Sequence, residues 1–224
     1  MKRVGPAMLV LAQTVALALV FHPSNADSVR FWYLLAGVLY LGAAWAAWQL
    51  ARADRLAPLL RLRPGDLSAG AFCAFALLVC IWLGRTQFAA IGSPRQAWLF
   101  RVYLQIGDPD RIQSSLLLSL LLMGIAVSQE LIFRGYVQEA CDAWFGERSG
   151  WIASAAAYAL VMTPTLWTLR ANELGVNPLL FLAALLIGLT LGFLRRITGR
   201  LPPVLVAQMA FMYFSVAQFR LPGL

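Results

Sequence analysis

IQSSLLLSLLLMGIAVSQELIFRGYV, residues 112–137, is the stretch that decides the fold class. It carries no acid or base before Glu130, and its 26 residues reach about 39 Å as a helix at ~1.5 Å per residue. That is enough to cross the ~30 Å hydrocarbon core of a bilayer. Six further apolar runs have the same character: Val4 to Phe21, Phe31 to Ala51, Leu67 to Gly84, Gly150 to Leu169, Leu179 to Leu194 and Pro202 to Phe219. The expected fold is an all-α polytopic membrane bundle of about seven, at most eight, transmembrane helices, because 224 residues hold no more at roughly 20 per span.

Composition agrees. The chain is 61% hydrophobic and 12% charged, against roughly 45–50% and about 25% in a soluble domain, and its mean hydropathy is +0.72. Soluble, disordered, collagenous and disulfide-stapled classes are excluded. The net charge of +8 comes from 18 basic residues, 17 of them Arg, against 10 acids. They sit beside apolar runs without a basic stripe or an aromatic platform, so lipid headgroups and membrane topology explain them and nucleic acid does not. Cys73, Cys80 and Cys141 read as apolar packing.

With a cytoplasmic N-terminus, one side collects Lys2, Arg3, Arg52, Arg55, Arg61, Arg63, Arg148, Arg195, Arg196 and Arg200. The other collects Arg30, Arg85, Arg95, Arg101, Arg111, Arg170 and Arg220, and ten against seven favours that orientation. The first run is read as a retained span, although Ser24-Asn25-Ala26 after it also suits a signal-peptide cut. Arg52 to Asp66 reads as an interfacial helix, and Arg85 to Arg111 as a second surface-lying or re-entrant piece. Small-residue pairs at four-residue spacing, such as Gly188 with Gly192, suit close helix packing.

Ionisable residues inside a bilayer are the default functional candidates. The fourth span holds such a group: Gln129, Glu130 and Arg134, with Gln138 and Glu139 one turn on, and Glu130 about nine residues from the expected end of the span. Glu130 and Arg134 share a helix face in the favourable order for an ion pair, and that spacing suits a structural pair as well as a functional one.

Ser128-Gln129-Glu130-Leu131-Ile132-Phe133-Arg134-Gly135-Tyr136 resembles the first signature of the CPBP family, which contains CAAX prenyl-processing proteases and Abi-type membrane proteins; that signature is Glu-Glu-x-x-x-Arg. Tyr158-Ala-Leu-Val-Met162-Thr-Pro164 resembles the family's Phe-x-x-x-His on the next span. Gln208-x-x-x-Met212 lies where the family has His-x-x-x-Asn or Asp. The resemblance implies a site in which the first Glu activates water, a His assists, and a later His and Asn stabilise the oxyanion. Here those positions are Gln129, Met162, Gln208 and Met212; Glu130 and Arg134 are retained.

A neutral amide does not accept the proton that a general base must take, and a thioether is only a weak acceptor. Gln208 retains the capacity to donate to an oxyanion, a contribution of ~3 kcal/mol, but a hole without a base hydrolyses little. The single histidine, His22, lies outside the motif region. No clustered His, Cys or carboxylates suggest a metal, and no cofactor motif is present.

The sequence therefore reads as a degenerate CPBP member: residues 1–66 form a two-span segment with an interfacial helix, and 67–224 a CAAX-protease-like core. The expected function is a pseudoprotease that acts as a binding or scaffold subunit of a membrane complex in the bacterial inner membrane. Its partner would be a membrane protein or a transmembrane or lipidated segment. An endopeptidase using Glu130 in an altered site and a transporter or channel subunit are the alternatives.

Overall fold

The computed structural model describes residues 4–90 and 92–218, with Phe88, Ala217 and Gln218 described by backbone alone. Lys2, Arg3, Phe219 and Arg220 of the sequence reading lie outside the described residues. The described chain is helical without a strand. Its elements are α1 (Val4–Val20), α2 (Val29–Arg52), α3 (Leu56–Leu60), α4 (Asp66–Leu83), α5 (Gln96–Ile106), α6 (Pro109–Ser114), α7 (Leu116–Glu130), α8 (Gln138–Phe145), α9 (Gly150–Val161), α10 (Thr165–Thr168), α11 (Leu179–Thr198) and α12 (Pro202–Tyr213).

Local chemistry sets these boundaries. Ser28 and Ser115 cap α2 and α7 by accepting from Phe31 N and Leu118 N, both at 3.3 Å. Pro202 and Pro203 open α12, where a missing N–H is no loss. Gly199, with φ of 70°, closes α11 in the left-handed region that glycine enters freely.

The seven expected runs divide by length. Helices Val29–Arg52, Asp66–Gln87, Leu116–Phe145 and Leu179–Thr198 are long and apolar enough to cross a membrane, while Val4–Val20 and Pro202–Val216 are shorter apolar helices. Two boundaries are corrected. The fifth run, expected to reach Leu169, stops as a helix at Val161, because Pro164 removes a donor and clashes with the preceding turn. The fourth, expected to end near Val137, runs unbroken from Leu116 to Phe145, 30 residues in all, through a π-helical stretch, Leu131–Val137. Glu130 is thus 15 residues, about 22 Å, from its end, deeper than expected. The expected interfacial helix between Arg52 and Asp66 is only the five residues of α3, and the long loop that follows span three folds into α5 and α6.

Close approach is built from small side chains. A Cβ on Gly188 would sit 3.0 Å from Ala155 of α9, and one on Gly70 of α4 would sit 2.6 Å from Pro203 O of α12. At the arginine-rich end of the bundle, Glu139 pairs with Arg195 at 2.5 Å and with Arg55 at 2.8 Å, and Asp66 pairs with Arg200 at 2.6 Å. These ion pairs tie α8 to α11 and α4 to the loop entering α12. The same end holds Arg52, Arg61, Arg63, Arg148 and Arg196 of the larger charge tally.

Candidate functional site

Gln129 and Glu130 are the last residues of α7, and Arg134 sits in the π-helical stretch that follows. Arg134 Nε lies 3.2 Å from Glu130 Oε2, with exposures of 1% and 0%. Neither carboxylate oxygen of Glu130 nor either terminal nitrogen of Arg134 has a hydrogen-bond partner. The Arg134 guanidinium instead covers the Tyr158 ring, 4.6 Å from its centroid, which is a cation–π distance.

Tyr158 comes from α9, held against the π-helical stretch by Ser154, whose hydroxyl donates to Phe133 O at 2.9 Å. The Phe133 and Tyr158 rings meet with centroids 4.7 Å apart. Tyr158 OH donates to Gln129 Oε1 at 3.4 Å, and Gln208 Nε2 from α12 donates to the same oxygen at 3.1 Å. Gln208 Oε1 is buried without a donor. Three helices thus deliver three neutral polar groups to one point.

A cavity of about 440 Å³ opens beside that point. Gln129, Tyr158, Met162, Gln208 and Met212, all five replaced motif positions, line it. Glu130 and Arg134 are not lining residues and stay behind Gln129 and Tyr158. Leu122, Ile125, Ile187 and Phe211 form apolar walls. Helix α5 roofs the far end with Leu99, Val102, Tyr103 and Ile106, one face of a helix by their spacing. This roof is pinned by Trp32 Nε1 donating to Ile106 O at 3.2 Å and Asn177 Nδ2 donating to Trp98 O at 2.8 Å. There the Arg85 guanidinium lies 5.7 Å from the Tyr103 ring centroid. Burial pushes the Tyr103 phenol up and Arg85 opposes the shift, so the phenol stays neutral at pH 7.

Residues 111–214 match the family model described as Rce1-like, Type II CAAX prenyl endopeptidase. This segment belongs to the CPBP family. No curated protein and no solved structure matches the chain. The CPBP segment begins just before α7 and ends with α12, so it contains every residue that converges at the inner end of the cavity. The apolar helices make the chain a multi-pass membrane protein, and its residues 111–214 are CAAX-protease-like.

Gln138 and Glu139, the other polar residues of the fourth span, go elsewhere. Gln138 Nε2 donates to Gly192 O of α11 at 3.1 Å, and Glu139 joins the ion pairs described above. His22 is exposed beyond α1, where Ser24 Oγ lies 2.8 Å from its Nδ1. Sequence reading missed the α5 roof and the double acceptance by Gln129 Oε1. The first had a signal in the periodic spacing of its apolar residues; the second, joining positions far apart in sequence, had none.

Proposed function

We propose that this protein has lost peptide hydrolysis and serves as a binding or scaffold subunit of a membrane complex. One observation carries the reading: where the family places its proton acceptor, Gln129 offers an amide whose oxygen already takes two donors. No neutral amide takes a proton from water at working pH. Met162 and Met212 add only thioethers to the same wall. Glu130, the retained acid, is fully buried against Arg134 and outside the cavity lining, which weighs against its use as the base. Under this reading Glu130 and Arg134 are positioning residues that hold α7 and α9 together through Tyr158.

The expected partner is a membrane protein presenting a transmembrane or lipidated segment, and the expected setting is the bacterial inner membrane. Residues 1–66 then add a two-span segment to a core of residues 67–224. The test is an assay of the full chain in nanodiscs with a prenylated CAAX peptide, beside the Glu130→Ala variant. Wild type should release no more product than empty nanodiscs, and a stable partner should co-purify from the native membrane. Peptide cleavage by wild type that Glu130→Ala removes would overturn the reading.

A further inference from the structure

We propose that the cavity binds a neutral single-chain lipid whose head carries a hydrogen-bond donor, an alcohol or a primary amide, seated against Gln208 and Gln129. The inner end has one acceptor too many. Gln129 Oε1 is satisfied twice, while Gln208, 1% exposed and part of the cavity wall, keeps its Oε1 without a donor. A buried acceptor left unpaired is costly, and an O–H or N–H arriving along the cavity completes the set.

Neutrality follows from the charges. Among the described lining residues the charged side chain is Arg85, at the roofed end, while Glu130 and Arg134 are occupied with each other behind the wall. An ionised head at the inner end would be desolvated without a counter-charge.

Size and wall chemistry exclude bulkier occupants. The cavity's 440 Å³ falls in the small-molecule range of about 300–1,000 Å³. An extended peptide would bring an N–H and a C=O with every residue past walls of Leu, Ile and Phe that pair with neither. One polar end and an apolar tail match the wall. The lining residues Cys80 of α4 and Leu182 and Leu186 of α11 are exposed, which puts an opening between these two helices, toward acyl chains.

The inference rests on the proposed function only in that the bound lipid is left intact. The experiment uses the full chain in nanodiscs with radiolabelled 1-hexadecanol, competed by its methyl ether, by hexadecanoate and by a prenylated peptide. The alcohol should bind about tenfold more tightly than the ether, the equivalent of one charge-free hydrogen bond at ~1.4 kcal/mol. Gln129→Leu combined with Gln208→Leu, which removes both amide acceptors, should bring that ratio to about one. Leu186→Trp, at the opening and away from the amides, should weaken both equally. Equal binding of alcohol and ether to wild type would overturn the proposal, as would stronger competition by hexadecanoate or by the prenylated peptide. So would a ratio that survives the double variant. The wild-type comparison decides the matter even if that variant does not fold. Peptide cleavage is scored separately, so this inference and the proposed loss of hydrolysis can fail independently.

Discussion

Removing one member of the Glu130 and Arg134 pair should destabilise the bundle far more than removing both. The two side chains are 0% and 1% exposed, and their ion pair at 3.2 Å is the only neutralisation either charge has apart from the Tyr158 ring. Breaking a buried pair by deleting one partner is worth about 3–5 kcal/mol, because the survivor remains as an uncompensated charge. The two single variants should differ. Arg134→Met leaves a carboxylate that a proton can neutralise, whereas Glu130→Leu leaves a guanidinium that no proton loss can relieve. Glu130→Leu should therefore fall near the upper end of that range and Arg134→Met near or below the lower. The double variant, with two apolar side chains packed against Tyr158 and Phe133, should lie within about 2 kcal/mol of wild type. The assay is a double-mutant cycle on unfolding in mixed micelles. Additive single effects, or a Glu130→Leu loss below about 1 kcal/mol, would refute the view that the pair is a buried, mutually dependent unit.

Four further outcomes follow from other contacts. Gly70→Val should cost at least ~1–3 kcal/mol, because its Cβ would stand 2.6 Å from Pro203 O and 2.7 Å from Val206 Cβ; unchanged thermal stability in micelles would contradict the close α4 and α12 approach. Gln138→Leu should remove about 0.6 kcal/mol, at most about 1.7, by losing the bond to Gly192 O, read in the same unfolding assay. Arg195→Ala should be more damaging than Arg55→Ala, since their side chains are 8% and 59% exposed and share one carboxylate; the exposed member is worth under ~1 kcal/mol. Single cysteines at Arg63 and Arg148 should both be labelled by an impermeant maleimide from the face opposite a cysteine at Arg101, and labelling of all three from one face would contradict crossings by Asp66–Gln87 and Leu116–Phe145.

The fold class was legible because burial in lipid demands apolar runs, and those runs are plain in the sequence. The intrahelical pair was legible too: Glu130 and Arg134 are four residues apart, and helix geometry does the rest. Boundaries were harder. The expected end near Val137 falls short because the polar Gln138 and Glu139 that follow are satisfied by α11 and by Arg195 and Arg55, so the helix continues past them. Met162-Thr163-Pro164 falls inside the expected fifth run, although its proline marks the stop. The meeting of Gln129, Tyr158 and Gln208 depends on how three helices pack, which no periodicity encodes; only the order of the motifs hinted at it.

The π-helical stretch Leu131–Val137 has a further consequence. Its wider i to i+5 winding stores about one extra residue within an otherwise continuous helix. A single deletion there would return the segment to ordinary winding and leave the helix on either side in phase. Gln129 would still face Gln208, and Gln138 would still face Gly192. The same deletion at Leu120 would swing everything N-terminal to it by ~100°. This long helix therefore carries a built-in length reserve beside its only buried ion pair among the described residues, and it is there that the chain can lose a residue without unpicking the bundle.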